Sequence, residues 1–208
     1  MSDSDSISDS DTDSIALQVD QTDSYYPRDL EDAVAVLNIL QQWLPSELGL
    51  SILTHAGYWL RSRAARKESK RFTEHNCRDR TPYLVSEPIK GERFPVQEIR
   101  IDVWSHDQGW SSYPDDHGTY NGSWTWFDLG IQRPSGREDI STGLGRAVTN
   151  VHASLTTRHH EVVYRRDEQP WMRELQADDQ ISIIPRALYP GWQNITEGIS
   201  IEIYTELL

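Results

Sequence analysis

The spacing of apolar residues separates an amino-terminal part of the chain with helical periodicity from a longer part in which apolar and polar residues alternate. Apolar side chains recur every three or four residues over 28–43 and again over 46–60, which predicts two helices. Asp29 or Asp32 suits the start of the first helix. Ser46 suits the N-cap of the second, because its hydroxyl can accept a hydrogen bond from the first turn.

Turn residues recur beyond Thr81, and the apolar residues between them alternate with polar ones as in β-strands. No alternation of strands with helices is visible, so a parallel sheet is not expected. We predict a mainly β fold, an antiparallel β-sandwich or jelly roll with the two helices in front of it. Strands are predicted over 96–103, 123–131, 147–155, 160–164, 181–184 and 199–203.

The alternation also assigns faces within the predicted strand 123–131. Phe127, Leu129 and Ile131 share one face and are expected in the core of the sandwich. Trp124 and Trp126 point to the opposite face, where large apolar rings need a cover. We expect the two amino-terminal helices to provide it, with a bound ligand as the alternative.

Charge divides the chain further. Residues 1–24 carry seven Asp among Ser and Thr and little that could be buried, so a disordered acidic tail is predicted. Residues 61–80 carry eight Lys or Arg against three Glu or Asp, which indicates the solvated end of a helix and a linker, with a nuclear-import signal or a docking strip for acidic groups as alternatives. The predicted organisation is a tail at 1–24, a helical segment with a basic end at 25–72, a linker at 73–94 and the sandwich domain at 95–208.

Composition excludes several function classes. The net charge of −13 makes nucleic acid a poor partner, because binding to phosphates needs Lys and Arg that face them. The single cysteine, Cys77, can form no internal disulfide. No apolar run approaches the roughly 18 residues that span a bilayer, and no signal-peptide pattern is visible. An intracellular setting, in the cytoplasm or nucleus, is therefore expected.

The stretch between the predicted strands 96–103 and 123–131 is too long for a hairpin turn and is rich in aromatic residues. Loops of this length in compact domains are usually functional. Aromatic faces beside carboxylates are typical of glycan and peptide sites, where rings cover C–H surface and polar groups fix orientation. The turn at 189–192 could add an aromatic residue to the same rim. The predicted ligand-binding residues are Trp110, Tyr113, Asp115, Asp116, Tyr120 and Trp192.

Two alternatives remain open. His106 and His117, with nearby carboxylates, could serve a metal-dependent jelly-roll enzyme, although the H-x-D/E spacing of a two-histidine, one-carboxylate site is not met. The chain could also be a structural scaffold whose aromatic residues all lie in the core. No phosphate-binding loop, dinucleotide fingerprint or nucleophile elbow occurs. No catalytic residue, metal ligand or cofactor is therefore assigned, and binding is favoured over catalysis.

The segment Leu44–Leu53, with the sequence LPSELGLSIL, resembles the start of an F-box, whose opening helix follows the pattern LPxEL…IL. A complete F-box is longer than this match. Continued through Ala56, Tyr58 and Trp59, the segment is more similar to an LPxEL…IL…A.YW element of uncharacterised fungal proteins.

A wider resemblance, to an aromatic-rich domain of the same fungal proteins, covers most of 81–205. The segments that carry it include SHDQGWS at 105–111, SWTWF at 123–127 and YPGW at 189–192. The layout is similar to F-box proteins with an F-box-associated domain, in which the end loops of a galactose-binding-like sandwich hold the ligand. This resemblance implies a non-catalytic module that recognises a glycan, a peptide or a protein, and that recruits a ubiquitin-ligase scaffold through Leu44–Leu53.

Overall fold

The computed structural model describes residues 26–27, 29–90, 96–134 and 144–206, so the predicted acidic tail at 1–24 lies outside the described residues. The described chain forms two helices, α1 (Leu30–Leu40) and α2 (Ser46–His55), and nine strands. The strands are β1 (Leu60–Arg66), β2 (Lys70–Thr73), β3 (Leu84–Val85), β4 (Val96–His106), β5 (Thr125–Gln132), β6 (Arg146–Thr149), β7 (Arg158–Arg165), β8 (Gln180–Ala187) and β9 (Gln193–Thr205).

The strands form two antiparallel sheets. In the first sheet the order is β1-β9-β4-β7, and β2 also pairs with β9, beyond the end of β1. In the second sheet the order is β3-β8-β5-β6. The alternating residues of both sheets meet in one apolar core, which confirms the prediction of a mainly β, sandwich-like architecture with two helices. The central strands supply most of this core, including Ile99, Ile101, Phe127, Leu129, Ile131, Ile181, Ile183, Ile199, Ile201 and Ile203.

Helix α1 begins where one of the two proposed start residues predicts. The side chain of Asp29 accepts a hydrogen bond of 2.9 Å from the backbone N–H of Asp32, as an N-cap does. The second helix differs from the prediction at both ends. Pro45 occupies the cap position, so Ser46 is the first helical residue, and the helix ends at His55 rather than near residue 60.

Gly57 explains the early end of α2. Its φ of +67° lies in the left-handed region that favours glycine, and two backbone hydrogen bonds close the helix. The N–H of Gly57 donates to the carbonyl of Thr54, and the N–H of Tyr58 donates to that of Leu53. This pair of bonds is a Schellman motif, and it turns the chain out of the helix into β1.

The basic segment that follows is not the end of a helix, so that prediction was wrong. Strands β1 and β2 together form one edge of the first sheet, with Arg66 opposite Ile199 and Lys70 opposite Thr196. The basic segment contains few apolar residues, because an edge strand buries few of its side chains. Its sequence therefore shows no alternation that would predict a strand. Long basic side chains on an edge also discourage pairing with another chain. The sheet therefore begins at Leu60, well before the predicted domain boundary at 95.

The predicted linker at 73–94 is likewise part of the folded body over its described portion. Cys77, Tyr83 and Ile89 are buried in the sandwich core, and β3 pairs with β8 through Leu84 and Val85. The thiol of Cys77 lies 3.4 Å from the carbonyl oxygen of Pro185, and burial raises its pKa above the ordinary value. Widely spaced single apolar residues anchor this segment, and no short-range periodicity reveals such anchors.

The helices do not cover Trp124 and Trp126, contrary to expectation. They pack on each other around the buried residues Ala33 and Leu53, with Leu60 at the start of β1 alongside. Trp126 is instead covered by guanidinium groups, with the Arg146 Cζ atom 4.1 Å from the ring centroid, and its indole N–H donates to Asp128 at 2.6 Å. Neither described helix is long and apolar enough to cross a membrane.

Candidate functional site

A groove of about 520 Å³ opens at one end of the sandwich, and we call it the aromatic groove. The β4–β5 loop and the β8–β9 turn form it. These two connections meet because Thr125 pairs with Ala187, so that β5 begins beside the end of β8. The residues that line the groove are Tyr113, Asp116, Gly122, Trp124, Tyr189 and Trp192.

The aromatic rings stand at steep angles to one another. The rings of Trp124 and Tyr189 lie 4.9 Å apart with an interplanar angle of 80°, so one ring presents its edge to the face of the other. The ring of Trp192 packs in the same way on His152, at 5.1 Å and 64°. Trp192 is therefore held from behind by a buried side chain while it lines the groove in front.

Asp116 is the carboxylate of the groove. It ends the short 3₁₀ helix Pro114–Asp116, and no described residue hydrogen-bonds its side chain. One of its oxygens lies so close to Gly122 that a Cβ there would stand 2.8 Å from it, so only glycine leaves this room. A half-buried carboxylate with free lone pairs in an aromatic groove is available to a ligand.

A buried carboxylate holds the β4–β5 loop in place from beneath. Asp107, which has no exposed surface, accepts backbone N–H bonds from Gly109 at 2.8 Å, Ala153 at 2.6 Å and Ser154 at 2.9 Å. Burial raises the pKa of the Asp107 carboxyl, and these N–H donors and the nearby His152 oppose that shift. The bonds from Ala153 and Ser154 join the β4–β5 loop to the β6–β7 connection, and the bond from Gly109 lies within the loop.

His152 makes a second tie between the same two segments. Its Nδ1 lies 2.8 Å from the carbonyl oxygen of Asn121, which can only accept, so Nδ1 carries the proton. In the neutral ring Nε2 then accepts from the hydroxyl of Ser111, at 2.6 Å. The backbone N–H of His152 also donates to the carbonyl of Thr119. The hydrogen-bonded imidazole of His152 therefore supports the ring of Trp192.

Buried amides complete this support. Asn150, also without exposed surface, accepts from the hydroxyl of Ser105 at 2.6 Å and donates to the hydroxyl of Thr125 at 3.1 Å. These bonds explain why the predicted strand 147–155 is wrong beyond Thr149. The buried polar residues that alternate with apolar ones there, Asn150 and His152, form side-chain hydrogen bonds. Ala153 has a φ of +54°, which does not occur in a regular strand.

The structure separates the six predicted ligand-binding residues into four groups. Tyr113, Asp116 and Trp192 line the aromatic groove. Trp110 borders it, with its ring beside Gly191. Asp115 is exposed next to Asp116 but does not line the groove.

Tyr120 lies elsewhere. Its ring packs edge-on to His160 at 6.1 Å, and both line a separate open depression between the edge strands β6 and β7. Tyr120 thus belongs to the same β4–β5 loop, but its side chain lies on the side of the sandwich rather than at its end.

Three groove residues were missing from the predicted set, Gly122 and the two aromatic residues Trp124 and Tyr189. Trp124 was expected under the helices, although its position directly before β5 is also a loop end that can face the groove. Tyr189 belongs to the turn that was expected to join the rim. A rule that includes every aromatic residue within two positions of a strand end would have found both aromatic residues.

The metal-dependent alternative lacks a ligand set in the described part of the chain. No group of three or more His, Cys, Asp or Glu residues in these ranges lies close enough to hold an ion. The Nδ1 of His106 lies 2.7 Å from the carbonyl of Asp107, and His117 contacts Ser111. Both carboxylate oxygens of Asp107 accept hydrogen bonds from backbone N–H groups.

Comparison with known proteins adds no family. No protein-family model and no curated protein matches this chain. The geometry of the groove is therefore the basis for a functional assignment.

The side chains of Trp110 and Tyr113 are 61% and 63% exposed. This exposure distinguishes the rim of the groove from a set of core aromatic residues.

Proposed function

We propose that this chain is a non-catalytic recognition module, and that its ligand binds in the aromatic groove. The observation that carries this proposal is the convergence of aromatic rings from two connections on one groove, beside a carboxylate that no described residue hydrogen-bonds. Binding sites combine apolar walls with a few fixed polar groups in this way. The buried ties of Asp107 and His152 favour a preformed site, which lowers the entropy cost of binding.

The strand order supports the finer assignment to a jelly roll. Four of the neighbouring pairs are β1 with β9, β3 with β8, β4 with β7 and β5 with β6. This is the pattern of one long hairpin folded over into two sheets, which is the plan of a jelly roll. In such folds, and in the galactose-binding-like domains of F-box proteins with a similar layout, end loops are common ligand sites, although the fold alone does not fix a function.

A ligand screen with matched variants tests the recognition role. Glycan and peptide arrays are probed with the full chain, with Trp192→Ala, and with Trp43→Ala as control, since Trp43 is 74% exposed between the helices. We expect at least one ligand to bind the wild type and the control but to lose at least about tenfold in affinity with Trp192→Ala. Arrays without any binder, or binders indifferent to Trp192, would contradict the proposal.

The helix pair supports a second role, as the adaptor of a ubiquitin ligase in the cytoplasm or nucleus. Within the F-box-like segment Leu44–Leu53, Leu48 and Ile52 are 52% and 45% exposed, although apolar. Trp43 precedes them and is more exposed still. An unpaired apolar surface on a helix is the kind of face that docks on a partner protein. We propose the scaffold subunit that binds F-boxes as its occupant, because the sequence of α2 resembles the F-box start.

Calorimetric titration with that purified scaffold subunit tests the adaptor role. Leu48→Asp and Ile52→Asp should each weaken binding by at least about tenfold, since a charge replaces a buried apolar contact in the complex. Both side chains are exposed in the free protein, so its stability should change little. Ser51→Ala, on the same helix but outside the fixed positions of the LPxEL…IL pattern, is the matched control. Absence of binding by the wild type would dispose of this role and leave the groove untouched.

A further inference from the structure

The walls of the aromatic groove favour one kind of ligand chemistry. Four of its six lining residues are aromatic, and the only charged one is Asp116. The face of an aromatic ring carries partial negative charge, so it attracts a cation that lies over it. Trp124 and Tyr189 stand nearly perpendicular, which lets two rings contact different sides of one rounded group.

Asp116 adds a formal negative charge to these walls. Its carboxylate has no hydrogen-bond donor among the described residues and is half-buried, so it is less screened than an exposed charge. No Lys or Arg of the described ranges lines the groove. The net charge of −13 adds a long-range potential of the same sign. Every electrostatic contribution at this site therefore favours a positively charged group.

A neutral sugar fits these walls less well. Its hydroxyls both donate and accept, so sugar sites supply several polar side chains of both kinds. The aromatic groove has one carboxylate, which only accepts, two tyrosine hydroxyls, two indole N–H donors and no side-chain amide, so it offers few acceptors for the hydroxyls of a sugar. An alkylated ammonium group needs no hydrogen-bond acceptor at each position, because its charge is spread over methyl groups that contact the rings directly.

We propose that the aromatic groove binds an organic cation, an alkylated ammonium group of the kind carried by choline or by a methylated lysine side chain. This proposal rests on the groove being the ligand site of the recognition module. The rings of Tyr113, Trp124, Tyr189 and Trp192 enclose the cation, and Asp116 neutralises it. The volume of about 520 Å³ exceeds that of one ammonium head group, so a peptide that carries it can also lie in the groove.

A pair of probes that match in shape and differ in charge tests the chemistry. The full chain is titrated with choline and with 3,3-dimethylbutanol, which replaces the quaternary nitrogen by carbon, and indole N–H signals and tryptophan fluorescence are recorded. We expect choline to bind at least about tenfold more tightly than its neutral isostere, because cation–π attraction and the carboxylate act only on the charge. A third titration with an N-acetylated trimethyllysine peptide separates the two sources, since a peptide-borne cation should bind more tightly than free choline.

Matched variants locate the binding. Asp116→Asn should reduce the affinity for choline about threefold to tenfold and leave the affinity for 3,3-dimethylbutanol unchanged. Asp115→Asn, at the exposed neighbouring position, should change neither. Trp124→Leu should weaken both probes. Circular dichroism shows whether a variant still folds, and Asp116→Asn carries the test if Trp124→Leu does not.

The outcomes separate this inference from the recognition role on which it rests. Equal affinity for choline and its isostere overturns the cation, but shifts of the Trp124 and Trp192 signals would keep the groove as the ligand site. Binding of a neutral oligosaccharide such as chitotriose, with these shifts and without any choline binding, also overturns the cation and supports recognition. If no ligand that binds the chain shifts these indole signals, both proposals fail.

Discussion

The loop end of the sandwich and the helix pair both expose large apolar side chains, but they support them differently. Beneath the aromatic groove lie polar side chains with no exposed surface, Asp107, Asn150 and His152, and each forms several hydrogen bonds. Between α1 and α2 only Ala33 and Leu53 are buried apolar residues. The first region is tied into the sandwich core, whereas the second has a small core of its own.

This difference indicates how each surface can work. Rings on a hydrogen-bonded support keep their positions before a ligand arrives, as a selective site requires. A helix pair with few buried contacts opens locally at a lower free energy and gains stability from whatever covers it. Exposed apolar residues therefore have two meanings in this molecule, and the residues beneath them distinguish the two.

Removal of the Asp107 carboxylate should have the largest effect. Asp107→Ala leaves three partly buried N–H groups without an acceptor and should lower the free energy of unfolding by about 3 to 5 kcal/mol, measured by urea denaturation. Asp115→Ala, at an exposed position, should stay within about 0.5 kcal/mol of the wild type. Equal effects of the two changes would mean that the loop end has no special support.

Truncation of Leu53 should affect the helix pair alone. Leu53→Ala removes the larger of its two buried apolar side chains and should cost about 2 kcal/mol, the low end for such changes because half-buried neighbours can close in. Hydrogen exchange should show faster exchange over 30–55 and unchanged protection in β4 and β9. Loss of protection in the strands would show that the two regions unfold as one unit.

Acid should weaken the side of the sandwich near Tyr120. Burial lowers the pKa of His160, and the charges of His159 and Arg158 lower it further; its buried Nε2 has no hydrogen-bond partner among the described residues. A lowered pKa in the folded state means that stability is complete above the unfolded value of about 6.5 and is lost as the pH falls through the lowered pKa.

Thermal unfolding between pH 7.5 and 5 checks this effect. The melting temperature of the wild type should fall more steeply with acidification than that of His160→Gln, which cannot take up the proton. His55→Gln, on the exposed surface of α2, serves as the control and should keep the slope of the wild type. Parallel slopes for wild type and His160→Gln would rule out His160 as the group responsible.

The smallest expected effect concerns Trp126, the buried tryptophan that arginines cover instead of helices. Arg146→Gln removes the guanidinium 4.1 Å from its ring and should cost about 0.5 to 1 kcal/mol, with a change in tryptophan fluorescence. Arg158→Gln, another exposed arginine on an edge strand, is the matched control. A loss as large as that of Leu53→Ala would show that this polar cover is as important as an apolar one.

The periodicity of the sequence predicts the parts of the fold in which burial alternates. Strands β4, β5, β8 and β9 carry regular apolar faces, and each was recognised. The edge strand of β1 and β2 was not, because its Arg and Lys residues reflect solvent exposure and not backbone conformation. Gly57 was a visible signal for the end of α2, and the apolar residues after it concealed that signal.

The candidate site was predictable in its location and less so in its members. Aromatic composition identified the loop, and Tyr113, Asp116 and Trp192 do line one groove. The direction in which Tyr120 and Trp124 point depends on how the loop folds back, and contacts with residues more than thirty positions away set that fold. His152 is an example, since its partners Asn121 and Ser111 lie far from it in the sequence.

The direct passage from α2 into β1 has a mechanical consequence. Leu60, at the start of β1, pairs with Thr205, near the end of β9, and the following rungs run away from this point to Arg66 and Ile199. A force that pulls the helices away from residue 206 loads the hydrogen bond from the Thr54 hydroxyl to Glu206 and then the first rung, so β1 would peel from β9 one hydrogen-bonded pair at a time. Such unzipping needs far less force than sliding a whole strand, because the bonds break in series and not together. A partner that pulls on the helices would thus separate β1 from β9 before the force reached the loops at the far end of β9.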